Sequence, residues 1–216
     1  MRNGEGMRKS YLSVGKQARA ELEEKKSRFV ATVKPVETEG GAIAFLEGVK
    51  QEFAGANHNV YAYYTPKSDG AKRCSDDGEP RGTAGLPVLN VIEKNNLEDI
   101  AIVVTRFFGG TLLGAAGLIR AYGRAATLGV EEAGIETYTL CDDIYIMVGH
   151  TLFGAIRNEI DKGGLFVKGL EYGLDVELTV QVGKGSSDSF IKRVIDLSAG
   201  AAVVEKAGES YKTEKL

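Results

Sequence analysis

An acidic turn carries the densest group of reactive side chains in this sequence. Residues 75–85 read SDDGEPRGTAG, which places Asp76, Asp77 and Glu79 beside an arginine and three glycines. Two carboxylates about 5–10 Å apart can act as general acid and base in hydrolysis when burial separates their pKa values. Carboxylates can also hold Mg²⁺ against a phosphate. Catalysis and metal-assisted phosphate binding are therefore two interpretations of the acidic turn.

A third interpretation of the acidic turn is structural. The Asp-Gly pair at its centre is typical of a turn, and Pro80 stiffens the exit, so the acids have defined directions. The carboxylates can pair with Arg73, Arg81 or Arg106 and hold the loop in one conformation. The sequence has no lysine at the Walker spacing, which weakens the phosphate interpretation, but pairing, binding and catalysis all stay open.

An enzymatic function would rest on His58, Asp76, Asp77 and Glu79. A catalytic histidine needs a nucleophile or an orienting carboxylate nearby, and Cys74 adjoins the acidic turn, so a Cys-His-Asp site is one alternative. The other alternative is a hydrogen-bonded structural histidine at the start of a strand. Two histidines and two cysteines in the whole chain, at spacings unlike any zinc motif, predict no metal site, and we expect no cofactor.

A binding function uses cations and aromatic rings instead. Arg120 and Arg124 are one helical turn apart, where a phosphate track would lie. Phe107 and Phe108 end a strand and can stack on unpaired bases; strand alternation predicts that one ring is inside and one is available. The cations considered are Lys25, Lys26, Arg28, Lys72, Arg73, Arg81, Arg106, Arg120 and Arg124. The candidate binding residues are Lys26, Arg28, Asp76, Asp77, Glu79, Arg81, Thr83, Arg106, Phe108, Gly109, Gly110, Arg120 and Arg124.

Strands and helices must position these side chains. Residues 27–36 and 58–65 are rich in β-branched and aromatic residues and are predicted strands. Residues 100–108, IAIVVTRFF, form a continuous apolar run that predicts a strand buried on both faces. Glycine after that run lets backbone approach backbone or ligand closely.

Three helices are predicted between and after these strands. The first has an apolar face at helical spacing formed by Ile43, Leu46, Val49 and Phe53. The second is capped by Thr83 and has an apolar face formed by Leu86, Leu89 and Ile92. The third follows the glycines and includes Tyr122 on its apolar face, where further glycines allow tight packing against the sheet.

The C-terminal part has a different pattern. From residue 136 the predicted order is strand, helix, strand, strand, helix and strand, with Ser186 or Ser187 capping the second helix, which is the βαββαβ ferredoxin-like arrangement. No cluster of titratable residues is prominent there, which favours an interaction or support domain. The sequence therefore predicts an α+β protein of two domains, residues 1–135 and 136–216.

Composition and charge restrict the class of protein further. The hydrophobic fraction is 43%, the charged fraction 26%, and no segment approaches the roughly 20 apolar residues of a membrane span. The N-terminal sequence lacks the apolar core of a signal peptide, so we expect a cytoplasmic, soluble protein. The net charge is −3, with 18 Lys and Arg against 17 Asp and Glu in residues 1–135 and 9 against 13 in residues 136–216. Any polyanion would bind the N-terminal part through local patches.

Three segments of the N-terminal half together form a recognisable set: KKSRFVA at residues 25–31, the acidic turn, and VVTRFFGGTLLGAAGLIRAYGRAA at residues 103–126. In this order and spacing they resemble the IMPACT family. The order of elements in the C-terminal half is also similar to that of the bacterial members. Val60 stands where the family often has cysteine, which argues against a cysteine-dependent reaction, and Ala116 stands where glycine is frequent.

The resemblance implies both a fold and a function. The first domain would be like domain 2 of ribosomal protein S5 and domain IV of elongation factor G, and the second like elongation factor G domain V. Eukaryotic members regulate translation by competing for a partner that activates an initiation-factor kinase, and bacterial relatives have been proposed to bind nucleic acid or ribosomes. We therefore expect a translation-associated binding protein whose partner is the ribosome, RNA or a translation factor. The alternative is a hydrolase or phosphate-handling enzyme.

Overall fold

The computed structural model describes residues 8–67 and 70–216. They form an N-terminal unit, residues 11–137 with 213–216, and a C-terminal unit, residues 138–212 with 8–10. The first elements are β1 (Ser10–Val14), β2 (Ala18–Glu24), β3 (Ser27–Pro35), α1 (Glu39–Glu52), β4 (His58–Thr65), β5 (Ala71–Ser75), α2 (Gly85–Lys94), β6 (Ile100–Phe107) and α3 (Ala115–Ala133). The remaining elements are β7 (Ile135–Val148), α4 (His150–Lys162), β8 (Phe166–Tyr172), β9 (Val176–Gly183), α5 (Ser187–Leu197) and β10 (Val203–Lys215).

The N-terminal unit is built on a sheet with the strand order β2-β3-β6-β4-β5, in which neighbouring strands are antiparallel. Strand β6 is central, and its side chains alternate between two cores. Ile102 and Val104 face the core beneath α2 and α3, whereas Ala101 and Val103 face the core beneath α1. The prediction that this strand is buried on both faces is confirmed.

The helices form where they were expected, but the apolar faces of two of them were predicted only in part: Leu46, Val49 and Ile92 are buried as expected. On α1 the buried side chains are those of Ala42, Phe45, Leu46 and Val49, while Ile43 is 49% exposed. On α2 the buried side chains include Pro87, Val88, Val91 and Ile92, while Leu86 is 50% exposed. The buried face of each helix is therefore centred on different residues from those of the predicted face. Hydrophobic spacing alone does not reveal which side of the helix faces the sheet.

Three strands of the structure were not predicted from the sequence. Strand β1 is short, β2 has the sequence ARAELEE, and β5 has the sequence AKRCS. Strands β2 and β5 are rich in charged residues because they form the two edges of the sheet, where one side of the strand has no neighbour. β-Propensity therefore misses them.

The C-terminal unit has the predicted βαββαβ order. Its sheet has the order β7-β9-β8, with β10 also paired to β7, and β9 is antiparallel to both β7 and β8. Helices α4 and α5 contribute Ile156, Ile160, Phe190 and Val194 to its core. Ser186 occupies the N-cap position of α5 but makes no capping hydrogen bond through its side chain. The chain is thus an α+β protein of two domains.

Across residues 8–67 and 70–216, no helix is both long enough and apolar enough to cross a membrane.

Candidate functional site: the surface around the acidic turn

Asp76 connects the acidic turn to the start of α2. Its Oδ1 accepts hydrogen bonds from the amides of Gly85 at 2.8 Å and Ala84 at 3.0 Å, and its Oδ2 accepts one from Gly82 at 2.8 Å. A carboxylate at a helix N-terminus satisfies free amides and interacts favourably with the helix dipole. Asp76 therefore caps α2 from outside the helix.

The prediction that Thr83 caps α2 is wrong. The N-cap position of α2 is Ala84, which has no side chain that could accept a hydrogen bond, and the Thr83 hydroxyl donates to the carbonyl oxygen of Pro80 at 2.7 Å. Desolvation raises the pKa of the Asp76 carboxyl, but the three amide hydrogen bonds and the charge of Arg81 outweigh it, so the net pKa is lowered. Asp76 is held as a charged acceptor.

Asp77 holds the acidic turn against β4. Its Oδ2 accepts a hydrogen bond from the amide of Asn59 at 2.6 Å. Its carbonyl oxygen lies 2.8 Å from His58 Nδ1, and since a carbonyl can only accept, that nitrogen carries a proton. His58 is thus a hydrogen-bonded residue at the start of its strand, one of the two alternatives for it.

Glu79 is the buried member of the turn. Its Oε1 accepts hydrogen bonds from Arg106 Nη1 at 2.6 Å and from the hydroxyl of Tyr122 at 2.8 Å, and His58 Nε2 lies 3.9 Å from the same oxygen. Burial, and then the hydrogen bond to Glu79, raise the pKa of the Tyr122 phenol well above its usual range. Tyr122 was predicted only as a core residue. The signal for its second role is that a buried tyrosine hydroxyl needs a hydrogen-bond partner, which here is Glu79.

The prediction that Arg106 contacts phosphate is wrong, because the residue is buried. The residue is only 5% exposed, its guanidinium pairs with Glu79, and it lies 5.4 Å from the ring centroid of Phe29 and 5.5 Å from that of Phe108. Of the three expected partners of the acids, Arg106 forms the buried ion pair. All three carboxylates of the acidic turn accept hydrogen bonds from this chain, as the structural interpretation requires.

A glycine loop, residues 109–114, lies beside the acidic turn and is joined to the β2–β3 turn. The amide of Gly109 donates to the Ser27 hydroxyl at 3.2 Å. A Cβ at Gly109 would overlap the carbonyl carbon and oxygen of Lys26, which no side chain can tolerate. Glycine is required here because two backbones meet, as expected from the sequence.

An apolar cleft of about 430 Å³ opens between the acidic turn and the glycine loop. His58, Glu79 and Arg106 line one part of it, and apolar side chains line the rest. Phe108 is 45% exposed and Leu112 is 82% exposed at its rim. The other residues of the lining are Asn57, Pro80, Leu113, Gly114, Ala115 and Leu118.

The two phenylalanines at the end of β6 differ in exposure. Phe107 is half-buried and its ring lies 4.5 Å from the guanidinium carbon of Arg28, whereas Phe108 follows the strand and is exposed. Arg28 is also 3.7 Å from Glu21, so its charge is partly balanced. Phe108 is the aromatic ring that is available to a partner.

Exposed cations lie on the other side of Leu113. Lys25, Arg120 and Arg124 line a cationic groove of about 160 Å³ together with Glu24 and apolar residues. Arg81 and Lys26 are also exposed. The structure therefore brings together Arg120 and Arg124 as the sequence predicted, and adds a cation from the β2–β3 turn.

The proposed cysteine-histidine arrangement is not formed. In the strand register Cys74 is opposite Ala62, whereas His58 is opposite Arg106. Four residues of strand separate the two positions, about 13 Å. Within residues 8–67 and 70–216, no three His, Cys, Asp or Glu side chains are grouped to hold a metal ion.

The fold and this surface define a two-domain α+β protein with a hydrogen-bonded acidic turn in its N-terminal domain. The model of the Impact N-terminal domain matches residues 25–130, and a domain of unknown function, DUF1949, matches residues 146–201. The chain is 35% identical to the IMPACT family member YvyE of Bacillus subtilis, over 94% of this chain and 93% of the relative. This protein belongs to the IMPACT family.

Other relatives show how far the similarity extends. The IMPACT family member YigZ of Escherichia coli is 30% identical over 82% of this chain and 88% of its own length. Human Protein IMPACT is 39% identical over 30% of this chain and 20% of its own length. A crystal structure described as that of a hypothetical protein matches with a TM-score of 0.60 and 26% identity, covering 92% of this chain and 97% of the other.

Proposed function

We propose that this protein is a cytoplasmic, translation-associated binding protein that contacts the ribosome, RNA or a translation factor through its N-terminal domain. The binding surface is composite: the acidic turn and the glycine loop shape it, and Phe108, Leu112 and nearby cations face the partner. Membership of the IMPACT family supports the link to translation. The C-terminal domain serves as an interaction or support domain.

One observation carries the choice of binding over catalysis. The carboxylates of Asp76, Asp77 and Glu79 each accept hydrogen bonds from this chain, and that of Glu79 also forms a buried ion pair. A general acid or base must be free to exchange a proton with a substrate, whereas these carboxylates are engaged as hydrogen-bond acceptors within the chain. The acids therefore serve as scaffold for the exposed residues around them.

The exposed residues beside this scaffold have the chemistry of an interface. Phe108 and Leu112 supply an aromatic and an aliphatic anchor at the apolar cleft. Lys25, Arg120 and Arg124 supply positive charge in the cationic groove. Arg120 and Arg124 are one helical turn apart on α3, so both can follow the same phosphate backbone.

Co-sedimentation of the purified protein with ribosomes across a salt series tests the proposal. The double variant Phe108→Ala, Leu112→Ala should lose the salt-resistant part of binding, because it removes the apolar anchors. The matched control is Ile43→Ala with Leu174→Ala, two exposed apolar residues outside the composite surface. Binding by the control but not by the double variant supports the proposed surface.

Charge reversal separates the cations from the anchors. Arg120→Glu with Arg124→Glu should weaken binding and reduce the slope of log affinity against log salt by about 2, one for each phosphate that is no longer neutralised. Lys16→Glu with Lys94→Glu changes the net charge equally at exposed positions elsewhere. Equal weakening in both variants would contradict a local cationic site, and no ribosome binding by the parent protein would overturn the proposal.

A second candidate is a hydrolase or phosphate-handling enzyme, favoured by one observation. His58 and Glu79 line the same apolar cleft, with His58 Nε2 3.9 Å from Glu79 Oε1. A thermal-shift screen of nucleotides, phosphate esters and divalent metals tests this candidate, since a ligand of the folded state raises the melting temperature. Turnover of any stabilising ester that is abolished in His58→Ala would establish catalysis.

A further inference from the structure

Two surfaces of different chemistry lie side by side along the first turns of α3. Ala115 and Leu118 line the apolar cleft, whereas Arg120 and Arg124 line the cationic groove. Leu113 lines both and is buried, so it forms the ridge between them. Because both surfaces belong to about three turns of one helix, whose diameter with side chains is about 10–12 Å, one short ligand can occupy both.

The cations of the groove and its rim are available to a partner. They are Lys25, Lys26, Arg120 and Arg124, and all four are exposed. Within residues 8–67 and 70–216, none of these side chains forms a salt bridge or a hydrogen bond. By contrast, Arg19 of the same unit is paired with Glu52 at 2.7 Å. Glu24 supplies one carboxylate to the lining of the groove, which leaves an excess of positive charge there.

The β2–β3 turn holds two of these cations in a backbone conformation that lysine rarely adopts. The angle φ is 48° at Lys25 and 67° at Lys26. A two-residue hairpin turn with positive φ at both positions normally uses Asn-Gly or Asp-Gly, because a left-handed backbone is unfavourable for most residues with a Cβ. Strained residues of this kind cluster at active sites and ligand clamps. The turn is also fixed beside the cleft, because the backbone of Gly109 packs against the Lys26 carbonyl.

The chemistry of the apolar cleft favours a protein partner over a nucleic acid. Arg106, which lines the cleft, is paired with Glu79 at 2.6 Å and has no charge to offer a phosphate. The rim carries the exposed side chains of Phe108 and Leu112. An apolar centre beside a charged rim is the anatomy of a protein–protein interface, whereas nucleic-acid interfaces are more polar and much more positively charged. The excess positive charge lies in the groove, where acidic side chains would complement it.

We propose that the apolar cleft and the cationic groove together bind one short segment of a protein partner, in which bulky apolar side chains adjoin acidic ones. The apolar side chains lie in the cleft against Phe108 and Leu112. The acidic side chains cross the Leu113 ridge and pair with the cations of the groove. This inference rests on the proposed function, because it names the chemistry of the partner at the same surface.

Selection from a random peptide display library tests the proposal on the full-length protein. The random peptides are about 15 residues long, enough for an extended or a helical segment. Peptides recovered on the parent but depleted on Phe108→Ala with Leu112→Ala should be enriched in Leu, Ile or Phe with Asp or Glu within about four positions. Enrichment of Lys and Arg, or of neither charge, would overturn the acidic partner. Recovery of no such peptide would overturn the whole proposal.

Binding kinetics of the most enriched peptide separate the two surfaces. Phe108→Ala with Leu112→Ala should raise the dissociation rate at least tenfold, because buried apolar anchors hold a complex together. Arg120→Glu with Arg124→Glu should instead lower the association rate about tenfold and remove most of its salt dependence. Exchanging the acidic residues of the peptide for lysine should restore binding to this charge-reversed protein and weaken binding to the parent. Absence of that rescue would overturn the pairing with the groove.

Matched variants control for changes in apolar surface and in net charge. Ile43→Ala with Leu174→Ala, and Lys16→Glu with Lys94→Glu, change exposed residues outside both surfaces and should bind the peptide as the parent does. Equal weakening in these controls would overturn the assignment to the cleft and the groove.

Two comparisons distinguish this inference from the proposed function. Polyuridine of about 12 nucleotides, within the site size of single-strand binders, should bind more weakly than the peptide, and tighter binding that displaces the peptide would overturn a protein partner. Ribosome co-sedimentation without any selected peptide would overturn this inference alone. A selected peptide that depends on both surfaces would support it even if the protein does not sediment with ribosomes.

Discussion

Replacing Asp76 tests whether the acidic turn is a scaffold. Asp76→Ala leaves the amides of Gly82, Ala84 and Gly85 without their acceptor. Hydrogen bonds to charged groups each contribute about 1.5–3 kcal/mol, and a helix cap alone contributes about 0.5–2 kcal/mol. Since the three bonds share one carboxylate and are not additive, we expect the free energy of unfolding to fall by about 3 kcal/mol.

Asp76→Asn should cause about half of that loss. The asparagine Oδ1 can still accept from Ala84 and Gly85, but its NH₂ group faces the Gly82 amide, so donor meets donor. The conservative variant therefore separates the two oxygens of the carboxylate. The matched control, Asp188→Ala, removes a highly exposed carboxylate from the first turn of α5 and should stay close to the parent value.

The same substitution has a defined pH dependence. The pKa of Asp76 is lowered in the folded state, so its contribution is complete above the unfolded pKa of about 3.9 and is lost as the pH falls through the folded pKa. The difference in stability between the parent and Asp76→Ala should therefore be constant near neutrality and shrink on acidification below about pH 4.

Urea unfolding followed by far-UV circular dichroism measures these differences, with unchanged m-values required for the comparison. Amide hydrogen exchange at Gly82, Ala84 and Gly85 shows whether the loss is local to the turn. A loss below about 0.5 kcal/mol for Asp76→Ala, the size of an ordinary surface substitution, would refute the scaffold argument. So would equal losses for Asp76→Ala and Asp76→Asn, or a difference that persists unchanged in acid.

Three further predictions concern other residues of the N-terminal unit. Gly109→Ala should destabilise the protein by more than the roughly 1 kcal/mol of a typical substitution, because its Cβ would overlap the Lys26 carbonyl; thermal unfolding measures it, and a neutral result would contradict the close approach. Tyr122→Phe removes the hydroxyl that donates to Glu79 and should lower the free energy of unfolding by about 1–3 kcal/mol in urea; an unchanged value would show that the bond is dispensable. Burial raises the pKa of the Cys74 thiol, so iodoacetamide near neutral pH should modify it more slowly in the folded protein than in urea, as mass spectrometry can measure; equal rates would contradict the burial.

Elements with a strong local pattern could be predicted from the sequence. The run at residues 100–108 indicated a strand buried on both faces because nearly every residue in it is apolar, and the order of elements in the C-terminal unit followed from the alternation of strand and helix patterns. The glycine after Phe108 indicated a close backbone approach. Edge strands β2 and β5 were missed because exposure on an edge removes the apolar signal.

The roles of individual polar residues depended on distant partners. Thr83 is a residue type that often caps helices and precedes α2 directly. The amides nevertheless donate to Asp76, because the turn folds back and brings this carboxylate to amides six to nine residues later in the sequence. The residue type of Arg106 indicates an exposed cation, yet its position on the central strand places its guanidinium beside Glu79, 27 residues away in sequence. The hydroxyl of Tyr122 meets the same carboxylate across 43 residues.

The sequence by itself determined the family, the α+β class and the segments that build the candidate surface. Only the tertiary structure decided which of its charges are engaged inside the protein and which face a partner. The physical reason is that hydrophobic periodicity is a local property of the chain, whereas the partner of a buried polar group is chosen by whichever donor or acceptor the fold brings within hydrogen-bond distance.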